Sequence, residues 1–123
     1  MFTSFEHYKP LARVLDEIER VFGKMLEQAG THWLALEDAQ RREVALQLLR
    51  QVPVLWVWDN VEPVAGFPAG TVSAWSPAEQ KELVDFLREA RDTRAGFLLT
   101  SRREERAWLG GLPARAALPP MPM

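Results

Sequence analysis

The stretch VPVLWVWDNVE, Val52 to Glu62, decides how this 123-residue chain reads. Its apolar run from Val54 to Trp58 stops abruptly on Asp59, followed by Asn60 and Glu62. The run does not alternate polar with apolar, so it predicts a strand buried on both faces, as in a parallel sheet covered by helices. Trp56 and Trp58 are two residues apart and fall on the same face of that strand. Core packing accounts for them more simply than a base-stacking platform does.

Downstream, Pro63 to Ala74 reads as a loop rich in Pro, Gly and Ala. SPAEQ then opens a helix. Ser76 is its cap, Pro77 fits the first position, and Glu79 completes a capping box. Leu83, Val84, Phe86 and Leu87 give this helix an apolar stripe. RDTRAG turns the chain back into FLLT, a second buried strand at Phe97–Leu99 that ends on Thr100 and Ser101. A short helix in REERAWLG, closed by Gly110, and a brief strand in the tail RAALPPMPM are expected beyond it.

Upstream, a helix is expected from about Glu37 to Leu49, with Val44, Ala45, Leu48 and Leu49 inward. Pro53 discourages its continuation. Leu11, Val14, Leu15, Ile18, Val21, Phe22 and Met25 recur at helical spacing within Lys9–Gln28. Pro10 suits the first turn and Gly30 the C-terminal cap. MFTSFE reads as a short first strand.

The order is strand, helix pair, strand, helix, strand, short helix. Right-handed crossovers then predict an α/β fold: a three-layer parallel sheet with flanking helices on both faces. Ligands of such sheets bind beyond the carboxyl ends of the strands. Asp59, Asn60, Thr100, Ser101 and Arg102 all fall at that edge.

The totals bound the function. Hydrophobic residues make up 47% of the chain, which is expected of a folded domain. A net charge of -2 gives no nucleic-acid footprint. The absence of cysteine excludes disulfides, thiolate chemistry and cysteine-based zinc sites. No apolar segment approaches a membrane span, and the N-terminus has no secretory pattern. A cytoplasmic location is the expectation. His7 and His32 are too scattered for a metal pair.

Asp59 at the tip of a buried strand can hold Mg²⁺, an ion that takes few protein ligands when phosphates supply others. Asn60 can orient water or bond a neighbouring strand. Glu62 can polarise a water for attack on phosphate if it faces a pocket. The guanidinium of Arg102 can fork onto a terminal phosphate, with Arg103 as a second cation. Each residue also has a structural reading. Asp59 can be a turn acid, and Glu62 a solvated one. Thr100 and Ser101 can cap the next helix. Arg102 and Arg103 can pair with Glu104 and Glu105.

The pairing of VLWVWDNVE with GFLLTSRR resembles the STAND class of P-loop NTPases, in particular bacterial NB-ARC-like modules. VLWVWDNVE is similar to their Walker B segment, with Asp59 on the Mg²⁺-coordinating acid, Asn60 where many relatives carry a second acid, and Glu62 within a DNVE variant. FLLTSRR resembles the following strand and sensor motif, with Arg102 on the phosphate-sensing arginine. The SFE of Ser4–Glu6 is similar to the end of the family's second strand, and ALPPMP, Ala117–Pro122, to the start of the helical region behind the nucleotide domain. The resemblance implies that residues 1–123 are a partial P-loop NTPase core comprising strands two to four. It implies Asp59 as metal ligand, Glu62 as catalytic residue, and Asn60, Thr100, Ser101 and Arg102 as cofactor-binding residues. In an intact module the cofactors would be Mg²⁺ with ATP or ADP, and the module would act as a signalling switch.

The departure is the Walker A loop, GxxxxGK[ST], whose backbone cradles the phosphates. No such sequence occurs here; the adjacent Gly110 and Gly111 lead into Leu112 and Pro113. A truncated module is therefore expected, inactive alone and weak or silent toward nucleotide, because the loop supplies most of the preorganised electrostatics of phosphoryl transfer. In the family's sheet the first strand lies beside the fourth. Its absence would leave the Phe97–Leu99 strand with an open edge, and self-association or contact with other domains is expected there. Two alternatives stand beside this reading. One is a non-enzymatic association module using that edge. The other is a phosphoacceptor-type α/β domain with Asp59 as nucleophile, disfavoured because no lysine follows Thr100.

Overall fold

The computed structural model describes residues 1–65 and 72–101. Three strands form one parallel sheet in the order β1-β2-β3: β1 (Phe2–Ser4), β2 (Leu55–Asp59) and β3 (Gly96–Leu99). The run from Val54 is thus the central strand, displaced by one residue so that Asp59 belongs to it. Phe2 pairs with Val57 and Ser4 with Asp59; Trp56 pairs with Phe97 and Trp58 with Leu99. The expected short helix and tail strand lie outside the described residues, as do Arg102, Arg103 and the Ala117–Pro122 segment.

Local chemistry sets the helix ends. Helix α1 (Leu11–Gln28) begins after Pro10, whose carbonyl accepts from Arg13 N at 2.9 Å and Val14 N at 3.1 Å. It ends at Gly30, which has a φ of 85°. Gly30 N–H donates to Glu27 O at 3.0 Å and Thr31 N–H to Leu26 O at 2.8 Å, a Schellman closure that needs a left-handed residue. No atom lies within 4 Å of where a Cβ would stand at Gly30, so backbone conformation alone favours glycine there. Helix α2 (Asp38–Gln51) runs two residues past its expected end, and Leu46, rather than the half-buried Val44, joins Ala45, Leu48 and Leu49 in the core. Helix α3 (Pro77–Ala90) has the expected capping box: Glu79 N–H donates to Ser76 Oγ at 3.1 Å, and Ser76 N–H to Glu79 Oε1 at 2.9 Å.

Burial corrects one expectation. Trp56 and Trp58 are 0% exposed, but Leu55 is 58% exposed and, on the neighbouring strand, Phe2 is 55% exposed. Among the described residues the helices cover one face of the sheet only. The reason lies in the strand order. Two steps in one direction, each by a right-handed crossover, return both connections to the same side. Covering the second face with a crossover helix requires a reversal of direction, and the order β1-β2-β3 of the described strands contains none. The covered face is an aromatic core. Phe86 of α3 lies parallel to Trp58 at 6.4 Å between centroids and edge-on to Trp56 at 6.1 Å. Phe5 meets Trp58 at 5.1 Å and Phe97 stacks on Trp56 at 5.6 Å. Leu11, Val14, Leu15 and Ile18 of α1 and Leu46 and Leu49 of α2 complete it. Trp33 and Trp75 are buried as well, but Val21 and Met25 of the expected α1 stripe are exposed. No helix among the described residues is long and apolar enough to cross a membrane.

Candidate functional site

Parallel strands in register end together, so their polar termini meet at one edge. Asp59 closes β2, and its carbonyl accepts from Phe5 N–H at 2.9 Å, which extends the β1 pairing. Asn60 follows with a φ of 61°, a left-handed conformation that asparagine tolerates better than most residues. This bend carries Val61 and Val64 into the core and starts a 3-10 turn at Glu62–Ala65. Ser73 and Gln80 hold that turn from below, donating to Val64 O at 2.6 Å and 2.7 Å.

Thr100, the first residue beyond β3, binds four consecutive residues of the β2 exit. Its N–H donates to Trp58 O at 3.0 Å, and its carbonyl accepts from Val61 N–H at 3.0 Å. Its Oγ1 accepts from Asn60 N–H at 2.9 Å and donates to Asp59 Oδ1. A hydroxyl has one proton. With Asn60 N–H donating to it and a carboxylate as its other partner, that proton points at Asp59.

Asp59 is half-buried, and its Oδ2 receives no hydrogen bond from the described residues. The sequence suggests a Glu62 that faces either a pocket or bulk solvent; it is instead 2% exposed. With its amide nitrogen toward Glu62, Asn60 donates to Oε1 at 2.6 Å and Oε2 at 3.0 Å. A buried carboxylate needs such donors to offset lost hydration. Ser101 stands half-buried at the same edge. The structure therefore brings together Asp59, Asn60, Glu62, Thr100 and Ser101. Arg102 lies outside the described residues.

Among the described residues no three His, Asp or Glu side chains cluster to hold a metal by themselves. That donor set does not suit a protein-caged ion. It does suit Mg²⁺, which binds through one or two carboxylates when phosphates and water supply the rest. Asp59 Oδ2 is an oxygen of that kind. The fit extends no further, since among the described residues the sheet has no reversal of the kind at which open α/β sheets form their binding crevice, and the sequence lacks a phosphate loop. A separate concavity of 740 Å³ runs along the second half of α1, lined in part by Arg20, Lys24, His32 and Leu34; none of the strand-end residues reaches it. Sequence reasoning treats Thr100 as one of several contacts. Its clamp on Trp58–Val61 depends on strand register, and the only local signal is a hydroxyl residue ending an apolar strand.

No protein-family model matches the chain, and no curated protein and no solved structure matches it.

Proposed function

We propose that this chain is the magnesium-side portion of a nucleotide-binding module of the STAND P-loop type, acting as part of an ATP/ADP signalling switch. The observation that carries the reading is the junction of Asp59 and Thr100 at the carboxyl ends of adjacent parallel strands. The ends of the two stretches that carry the resemblance, at Asp59 and Thr100, adjoin there, and this supports the reading. Asp59 would hold Mg²⁺, Thr100 and Ser101 would border the nucleotide phosphates, and Asn60 would fix Glu62. The resemblance gives Glu62 the role of positioning attacking water, and Arg102 that of sensing the terminal phosphate. The bound ion would supply charge neutralisation. With no phosphate loop in the sequence, these residues alone bind nucleotide weakly and turn none over.

The test is a titration of the full chain with ATP, with and without Mg²⁺, followed by the amide NMR signals of Asp59, Asn60, Thr100 and Ser101. The expected result is saturable shifts at those amides that need Mg²⁺, with a Kd of about 1 mM, equivalent to about -4 kcal/mol, and that disappear in Asp59→Ala. Silent strand-end amides, or binding indifferent to Mg²⁺, would refute the reading.

A second reading, a non-enzymatic association module, is favoured by the outer edge of β3, which has no neighbouring strand among the described residues, and by the exposed Phe2 and Leu55. Unpaired edges invite another strand. Sedimentation velocity across a concentration series decides it: dimers at micromolar concentration support it, and a monomer throughout removes it.

A further inference from the structure

We propose that Thr100 is a positioning residue, one that fixes the direction of the Asp59 carboxylate and so presents Oδ2 to a divalent cation. The inference rests on the nucleotide reading for the identity of the ligand, but the positioning itself stands on geometry. Asp59 is the last residue of β2 and is half-buried. The only hydrogen bond its carboxylate receives among the described residues comes from the Thr100 hydroxyl. Thr100 in turn has little freedom. Its backbone is pinned to Trp58 and Val61, and its Oγ1 is pinned by Asn60 N–H. A β-branched side chain is stiff at χ1, so backbone placement determines hydroxyl placement. Holding Oδ1 leaves Oδ2 as the outward oxygen, and the carboxylate is presented through one atom.

The same clamp ties the site to the chain beyond β3. Thr100 leads directly into Ser101 and Arg102. Partners that orient a metal ligand typically matter to affinity by about ten- to a hundredfold.

The variants are Thr100→Val, which keeps shape and stiffness without the hydroxyl, Thr100→Ala as a second loss of the hydroxyl should the valine fail to fold, and Thr100→Ser, which restores the hydroxyl. Crystal structures report the direction of the Asp59 carboxylate without any ligand, and titration with Mg²⁺–ATP reports its use. The valine or alanine form should turn the carboxylate and weaken Mg²⁺-dependent binding by about tenfold or more, and the serine form should restore both. An unchanged Asp59 in the valine and alanine forms, or a serine form that behaves like valine, would overturn the proposal. Absence of Mg²⁺–ATP binding by the unsubstituted chain would overturn the nucleotide reading instead, and the crystal structures would still decide the role of Thr100.

Discussion

The two faces of β2 carry residues of the same chemical class and have opposite fates. On one face Trp56 and Trp58 are sealed beneath α3 among Phe5, Phe86 and Phe97. On the other, Leu55 is 58% exposed and Val57 half-buried, with no helix among the described residues above them. Hydropathy along the strand cannot tell these faces apart. Strand order can, because a sheet that grows in one direction by right-handed crossovers keeps its helices on one side.

The largest effect should come from cutting into the covered face. Trp58→Ala removes a fully buried ring that meets both Phe5 and Phe86. It should cost about 3–5 kcal/mol, a large share of the roughly 5–15 kcal/mol typical of a domain. Leu55→Ser on the other face should change stability by no more than about 0.5 kcal/mol. Urea midpoints compare the two directly. Similar losses for both would mean that the second face is covered as well, and one-sided coverage would be wrong.

A smaller effect is expected where the covered face holds a polar pair. Trp56 Nε1–H donates to Thr3 Oγ1 at 2.9 Å, both buried. Thr3→Val keeps the volume but leaves the indole N–H without its acceptor, at a cost of about 1–3 kcal/mol. Trp58 Nε1 already has no partner among the described residues. Thr3→Ser, which keeps the hydroxyl, should retain most of the stability in the same unfolding assay.

The smallest effect lies at the rim, at the two ends of α3. Glu79 is held below the usual carboxylate range, chiefly by the Tyr8 hydroxyl and then by Ser76 N–H. Glu89 is lowered chiefly by Arg42, which donates to both its oxygens at 3.0 Å. A carboxylate whose folded pKa is depressed contributes stability that is complete above its unfolded value and lost as pH falls through the folded one. Thermal midpoints should therefore decline on acidification below about pH 4.5. Glu79→Gln combined with Glu89→Gln should flatten that decline. An unchanged pH profile in the double variant would show that these pairs do not contribute.

How much of this was legible in the sequence divides along the same line. The ends of α1 and the start of α3 could be read because Pro10, Gly30 and the Ser76–Glu79 pair act within one turn of where they stand. The central strand could be read because Val54 to Trp58 offers no polar side to a helix. Coverage of one face could not, since it depends on non-local strand order. At the strand ends, the sequence placed Asp59, Asn60, Thr100, Ser101 and Arg102 at one edge; the first four stand there, and Arg102 lies outside the described residues. The sequence did not reveal that Glu62 would turn inward, because that depends on how the turn after Asn60 packs, with Ser73 and Gln80 holding Val64 O from distant parts of the sequence. Nor could it reveal the Thr100 clamp, which needs the β2–β3 register.

The Asp59–Thr100 edge is where we place a nucleotide-bound cation. Mn²⁺ can replace Mg²⁺ beside ATP and broadens nearby NMR signals. Amides of Asp59, Asn60, Thr100 and Ser101 should broaden first when Mn²⁺–ATP is added to the full chain. Those of Arg20, Lys24 and His32, along the separate concavity beside α1, should remain sharp, and Asp59→Ala should abolish the strand-end broadening. Broadening centred on the α1 concavity, or strand-end broadening that survives Asp59→Ala, would contradict the assignment.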